Sequence, residues 1–323
     1  MLSEFDLIAR YFTRPPRADG PVRLGVGDDC ALLSVTPGQE LAVSTDMLVE
    51  GRHFFAGADP AALGYKSLAV NLSDLAAIGA RPLGFTLALA LPAVDEPWLA
   101  AFSDGMLALA DEQGIELIGG DTTKGPLTIS ITVMGEVSSA AALRRNAAQT
   151  GDDLWVSGTL GDARLALAAL QGKLPLTPSE LDAAAVRLHR PTPRLALGMA
   201  LRGIANAAID VSDGLLGDLG HILQRSRRGA VIHADALPFG PVLAKSQSLQ
   251  VQREFALNGG DDYELCFTAP VTKRQAVLAA GISCQTALRC IGSISSDETV
   301  QITDAAGKSL HIPSHSFDHF SPS

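Results

Sequence analysis

Aspartates recur along this chain in short clusters, each beside glycine or a hydroxyl residue. They read Gly27-Asp28-Asp29, Ser44-Thr45-Asp46, Ser73-Asp74, Gly119-Gly120-Asp121-Thr122, Asp210-Val211-Ser212-Asp213-Gly214 and Gly259-Gly260-Asp261-Asp262. Most stand where an apolar run ends, the place where a strand gives way to a loop. Carboxylates gathered without basic partners repel one another, so a fold that collects them usually supplies cations. Hard oxygen ligands of this kind suit Mg²⁺, which is commonly shared with substrate phosphates. The chemistry implied is magnesium-dependent work on phosphates.

Taken singly, an Asp beside Gly is an ordinary turn residue or helix cap, and that suffices for Asp28, Asp59 and Asp218. Asp210 and Asp213 precede a helix, so capping and ligation both stay open there. Recurrence at strand ends favours a shared metal role for Asp29, Asp46, Asp74, Asp121 and Asp210, with Ser44 and Thr45 adding neutral oxygens. For phosphate recognition, Gly119-Gly120 lets backbone amides approach an anion closely. The helix start at Ser212-Asp213-Gly214 offers free amides and a favourable dipole. Arg144 and Arg145 read either as solvated linker residues or as a clamp on a nucleotide phosphate. His311, His315 and His319 are spaced like one helix face, but Pro313 lies among them and argues against a helix and a His-based metal site. A Walker-type phosphate loop, a dinucleotide fingerprint and a GxSxG elbow are all absent.

The elements that must position these residues follow from capping and periodicity. A first helix runs from about Ser3 to Phe12, with Ser3 and Asp6 as a capping box. Leu41 to Thr45 reads as a strand delivering Asp46 at its end. Asp59 as N-cap and Pro60 at the first position open a helix to Ile78, stopped by Gly79. Within it Leu68, Leu72 and Leu75 share one face, and Asn71 and Asp74 another. Further expectations are a strand over 85–91, a helix over 97–113 closed by Gly114, a short strand over 116–118 feeding Gly119-Gly120-Asp121, and a strand over 127–137. The second half predicts strands near 154–157, 209–211, 230–233 and 263–268 and helices near 161–170, 179–189, 193–205 and 214–227. A hairpin-like region closes the chain. Mixed strands and helices in both halves indicate an α/β (α+β) architecture. The domains expected are 1–137 and 151–323, joined by a linker at 138–150.

At 323 residues, two domains are the default. Hydrophobic residues at 47% and charged residues at 19% are ample for packed cores. The formal charge of −10 argues against an extended nucleic-acid surface. The acidic N-terminus lacks the layout of a signal peptide. The longest apolar stretch, 83–94, is too short to span a bilayer and contains Pro92. Cys30, Cys266, Cys284 and Cys290 form neither a CxxC pair nor a zinc spacing, and Cys266 reads as a core residue. The expectation is a soluble cytoplasmic protein without membrane or nucleic-acid partners.

Taken together, Gly-Val-Gly-Asp-Asp-Cys-Ala (25–31), Ser-Thr-Asp (44–46), Asn-Leu-Ser-Asp-Leu-Ala-Ala-Ile-Gly-Ala (71–80), Ile-Gly-Gly-Asp-Thr (118–122), Asp-Val-Ser-Asp-Gly-Leu (210–215), Gly-Gly-Asp-Asp-Tyr-Glu-Leu (259–265) and Phe-Asp-His-Phe (317–320) resemble the thiamine-monophosphate kinases. These belong to the aminoimidazole-ribonucleotide-synthetase-like ATP-binding superfamily. The resemblance runs nearly end to end in consistent order. It implies an N-terminal α/β domain whose strands form a β-barrel across a homodimer, followed by a C-terminal α/β domain completing the substrate site. It also implies ATP-dependent phosphorylation of thiamine monophosphate to the diphosphate, the last step in making that cofactor.

Carried over by position, the resemblance assigns magnesium to Asp29, Ser44, Thr45, Asp46, Asp74, Asp121 and Asp210, with Asp213 on a further ion. Gly120, Asp121, Arg145 and Ser212 would contact ATP, and His53, Asp261 and Phe317 thiamine phosphate. The pattern departs at two positions: Asp261 stands where many relatives carry Glu, and Phe317 where they carry Trp or Tyr. No catalytic side chain is expected, because a phosphate monoester is already anionic at neutral pH. The work is charge neutralisation and in-line positioning, without a phosphoenzyme. Selenophosphate synthetase would need a reactive Cys or selenocysteine in a Gly-rich N-terminal segment, and the hydrogenase-maturation dehydratase a terminal cysteine. A non-catalytic nucleotide- or metal-binding protein is the alternative of a different class.

Overall fold

The first elements obey local rules. In this computed structural model, which describes residues 3–313, Ser3 and Asp6 form the expected capping box at the start of α1 (Glu4–Leu7). The chain continues in a wider π-type turn, Ile8–Phe12, instead of one uniform helix. Two short strands, β1 (Val22–Leu24) and β2 (Leu32–Leu33), pair antiparallel. β3 (Glu40–Val49) precedes α2 (Pro60–Ile78), whose N-terminus is capped by Asp59, the carboxylate accepting the Ala62 N–H at 2.7 Å. β4 (Arg81–Leu91), α3 (Glu96–Gln113), β5 (Glu116–Lys124) and β6 (Thr128–Val137) follow, α3 closing at Gly114 in the left-handed region with φ 69°.

The chain forms two compact units. The first comprises residues up to Leu75 together with Ala80–Ala140. Its sheet has four strands in the order β3-β6-β4-β5, antiparallel except for the parallel β4/β5 pair. Phe85, Leu87 and Leu89 alternate along β4 and are buried, as are Leu68, Leu72 and Leu75 of α2 and Phe102, Met106 and Leu109 of α3. The two helices cross in backbone contact. A Cβ at Gly64 would lie 2.0 Å from the Phe102 carbonyl oxygen, and one at Gly105 1.9 Å from that of Ala61. The opposite sheet face is open at β3, where Leu41, Val43 and Met47 are 48%, 57% and 57% exposed.

The second unit takes Ala76–Gly79 and residues from Ala141 onward. Its strands are β7 (Asp153–Ser157), β8 (Ala207–Asp210), β9 (Gly229–His233), β10 (Leu265–Ala269), β11 (Leu288–Ser295) and β12 (Val300–Thr303). They form one sheet ordered β12-β9-β11-β7-β10-β8, antiparallel except for β12/β9. The hairpin-like region expected near the C-terminus is a short one: the chain turns back on β12, Thr303 bridging Ser309 antiparallel and the Leu310 N–H donating to the Ile302 carbonyl at 2.8 Å, while β9 lies between β11 and β12. The helices are α4 (Asp162–Leu170), α5 (Pro178–His189), α6 (Leu195–Ala200), α7 (Leu215–Ser226), α8 (Pro241–Ser246), α9 (Leu249–Asn258) and α10 (Arg274–Ser283). One core joins α7 to the sheet through Leu215, Leu219, Ile222, Val156, Ile209 and Ile232. A second joins α4, α5 and α8 through Ala166, Leu188 and Leu243. α6 is far shorter than the helix expected over 193–205, the chain leaving helical geometry before Gly203, which has φ 68°. Every residue of β7 and β10 is buried, Cys266 included, as expected of it.

Candidate functional site

β3 does not end at Thr45. It pairs with β6 from Glu40↔Val137 through Val49↔Thr128, so Asp46 lies in mid-strand opposite Ile131. This corrects the expectation of a strand delivering Asp46 at its tip; the partner strand β6 prolongs β3. Alternation then sorts the cluster. Ser44 and Asp46 share one face with buried neighbours, and Thr45 lies on the other, its hydroxyl 2.8 Å from that of Thr132. On the helix-covered face, Ser44 Oγ donates to Asp74 Oδ2 at 2.5 Å, and the Asp46 N–H donates to Asn71 Oδ1 at 3.0 Å. Asn71 is fully buried and donates its own amide to the Ser67 carbonyl at 2.9 Å. The pair Asn71 and Asp74, three apart on α2, therefore grips the pair Ser44 and Asp46, two apart on β3.

Gly119-Gly120-Asp121 is a strand and not a phosphate loop. β5 runs on to Lys124 beside β4, with Gly120 opposite Leu87 and Asp121 opposite Ala88. A Cβ at Gly120 would lie 1.8 Å from the Leu87 carbonyl oxygen, so glycine is required there by strand packing, at φ 151°. Asp121 falls in the row of Ala88, Ser130 and Met47, one step out of register with the row of Asp46, Ile131 and Leu87. It therefore lies on the face opposite Asp46, and it is exposed. His53 sits in the turn after β3, where Nδ1 accepts the Val49 N–H at 3.0 Å. Asp29 is exposed, and its N–H donates to the Asp28 carboxylate at 3.0 Å.

In the second unit Asp210 ends β8, 5% exposed and paired with Leu265. The amides that follow it are not free for an anion, contrary to expectation: the N–H groups of Ser212 and Asp213 donate to Asp218 Oδ2 at 2.9 and 3.1 Å. Asp218 reaches back from the first turn of α7 and satisfies them. Burial pushes its carboxyl up to about 7, against the pull of the Asp213 N–H and with the help of the Asp213 charge.

The Gly259-Gly260-Asp261-Asp262 segment divides its aspartates by role. Asp261 is half-buried in the left-handed region at φ 67°, which Asp tolerates, and its N–H donates to the Ser212 carbonyl at 2.9 Å. Ser212, expected to contact ATP, and Asp261, expected to contact thiamine phosphate, are thus one hydrogen bond apart. Asp262 is buried, its two oxygens each 3.0 Å from the Gly161 N–H, and burial drives its carboxyl well above the ordinary range. Glu264, fully buried, receives Arg194 in a bidentate pair at 2.7 and 2.6 Å, Arg187 at 2.8 Å and the Ser157 hydroxyl at 2.6 Å. Arg187 also donates to the Asp262 carbonyl at 2.8 Å. Glu264, Arg187 and Arg194 were given no role from sequence, and Asp262 none beyond its place in a cluster, since their partners lie far along the chain. The signal available was the acidic run itself, too acidic to be buried without arginines.

Phe317 lies outside the described residues, as do His315 and His319. Arg145 is exposed and its carbonyl accepts the Ser226 hydroxyl at 2.9 Å. Among the described residues no three His, Cys, Asp or Glu side chains converge into a ligand group. β3 and α2 nevertheless bring the Ser44 hydroxyl onto the Asp74 carboxylate, with Asp46 on the same face of the strand, and oxygen donors of this kind are the chemistry Mg²⁺ takes. Among these residues no helix is long and apolar enough to cross a membrane.

Residues 27–137 match the family described as AIR synthase related protein, N-terminal domain. Thiamine-monophosphate kinase from Salmonella typhimurium is 50% identical over 296 residues, covering 91% of each chain. The crystal structure of thiamine-monophosphate kinase from Stenotrophomonas maltophilia is 48% identical, with a TM-score of 0.84 over 91% of this chain and 93% of that one. A structure of AaThiL complexed with AMPPCP and TMP is 30% identical, with a TM-score of 0.77 over 88% and 89%. Sequence likeness of this extent, spread over both units, means that the chain belongs to the thiamine-monophosphate kinase family.

Proposed function

We propose that this protein transfers a phosphoryl group from ATP to thiamine monophosphate, giving thiamine diphosphate in the last step of that cofactor's synthesis. The observation that carries the reading is the extent of the likeness to named thiamine-monophosphate kinases, 91% of the chain at 50% identity. The solved relative bound to AMPPCP and TMP supports an ATP-type nucleotide and a monophosphate as the two ligands.

In this reading Gly120, Asp121, Arg145 and Ser212 contact ATP, and His53, Asp261 and Phe317 contact thiamine monophosphate. The acceptor phosphate loses its second proton at about pH 6, so its oxygen is anionic without help from a base. The remaining obstacle is repulsion between two polyanions brought into line. Asp29, Ser44, Thr45, Asp46, Asp74 and Asp121 in the first unit, and Asp210 and Asp213 in the second, are the oxygen donors that would hold several Mg²⁺ ions, Thr45 and Asp121 offering theirs from the sheet face opposite Ser44 and Asp46. When bound, Mg²⁺ would neutralise phosphate charge. Ser44 orients the Asp74 carboxylate, and Asn71 holds the Asp46 backbone, so this part of the site is rigid before any ligand arrives.

The protein works as a cytoplasmic homodimer. The support in the fold is the exposed row Leu41, Val43 and Met47 on the open face of β3, the surface a barrel shared by two copies would cover. ADP release by the purified protein, measured with and without thiamine monophosphate, tests the activity. Strictly substrate-dependent turnover is the expected result, and equal turnover in both would refute it. Chiral γ-thiophosphate ATP tests the single displacement: inversion at phosphorus is expected, and net retention would require a covalent intermediate.

A further inference from the structure

The geometry points to Ser226 as a positioning residue for ATP, acting by holding the main chain of Arg145 on the end of α7. Ser226 is the last residue of α7, and its hydroxyl makes two bonds to one segment. It donates to the Arg145 carbonyl at 2.9 Å and accepts the Ala148 N–H at 3.2 Å. Residues 145–148 are thereby bracketed against the helix at both of their ends, and Ala148 itself is buried in the same core as α7. The arginine side chain is exposed, so what places it is its backbone.

The other end of α7 does the same for a second expected ATP contact. Asp218, 4% exposed, accepts the N–H groups of Ser212 and Asp213. Between these two brackets the helix is seated by Leu215, Leu216, Leu219, Ile222 and Leu223, all buried. Its 12 residues make a strut about 18 Å long. One rigid element thus sets the separation between the Ser212 loop and the Arg145 segment. A strut of fixed length suits an elongated nucleotide held at two points, since it removes the entropy of ordering two loops separately on binding.

The inference rests on the reading of Arg145 as an ATP contact, and the experiment separates the two. Full-length protein is assayed for ADP release with ATP and thiamine monophosphate varied in turn, as wild type, Ser226→Ala, Ser226→Thr, Arg145→Ala and Ser226→Ala/Arg145→Ala. Ser226→Ala raises the Michaelis constant for ATP about three- to tenfold, the range of one or two lost hydrogen bonds. The constant for thiamine monophosphate and the melting temperature stay near wild type. Ser226→Thr, which keeps the hydroxyl, restores most of the affinity. In the Arg145→Ala background, removing the Ser226 hydroxyl has no further effect on ATP, as required of a residue that acts through Arg145. If Arg145→Ala weakens ATP and Ser226→Ala does not, or if the two effects add in full, Ser226 only closes a turn and the positioning role is wrong. If Arg145→Ala leaves the ATP constant unchanged, the assignment of Arg145 itself fails and the inference falls with it.

Discussion

Ser44 in the middle of β3 donates to Asp74 near the end of α2 across 2.5 Å, joining two residues 30 apart in sequence on the covered face of the sheet. The bond fixes which way a carboxylate points before any cation is present. Ser44→Ala removes that bond. The expected outcome is a several-fold rise in the free Mg²⁺ needed for half-maximal rate, with the circular dichroism spectrum unchanged. An unaltered magnesium curve would reduce Ser44 to a packing residue.

Asp46 is anchored through its backbone by Asn71, so its side chain can change without moving the strand. Asp46→Asn keeps shape and removes one charge. Turnover at ordinary magnesium should fall by orders of magnitude while thermal unfolding stays close to wild type. Near-normal rates would take Asp46 out of the metal site.

Gly120 tolerates no side chain, because a Cβ would strike the Leu87 carbonyl oxygen. Gly120→Ala should push β5 away from β4 at that point and shift Asp121 with it. Both activity and melting temperature are expected to drop. A stable but inactive variant would show that the glycine serves ligand approach and not strand packing.

Glu136 on β6 is buried, a cost that alone would raise its carboxyl. The Thr36 N–H and hydroxyl at 2.8 Å and the Arg81 guanidinium at 2.6 and 3.0 Å outweigh that and hold it below the ordinary value of 4.5. A carboxyl lowered by folding adds stability that is complete above its unfolded value and is lost as pH falls through its folded one. Melting temperature followed downward from pH 6 should therefore fall below pH 4.5 more steeply in wild type than in Glu136→Gln. Parallel curves would show that this carboxyl titrates alike in both states.

Glu264 is fully buried between Arg187 and Arg194. Glu264→Ala leaves two guanidinium groups without their counter-charge and is expected to cost about 3–5 kcal/mol, read by urea unfolding. A loss under about 1 kcal/mol would mean that water replaces the carboxylate.

The chain's own order of residues determined those features that depend on neighbours a few positions away. Ser3 and Asp6, Asp59 before Pro60, and Gly114 after α3 all act within one helical turn, so caps and stops were legible. Burial of the 68, 72, 75 face of α2 follows from period alone. Only the tertiary structure decided the rest. How far β3 and β5 extend depends on the strands beside them, which is why Asp46 and Gly120 proved to lie within strands. Which face each aspartate takes depends on register, and a single step separates Asp46 from Asp121. Whether an amide is free depends on what reaches it: Asp218 takes those of Ser212 and Asp213, and Asp262 takes that of Gly161, 101 residues away. In each case the deciding force is a hydrogen bond or ion pair between segments distant in sequence, whose formation requires that chain entropy already be lost to the fold.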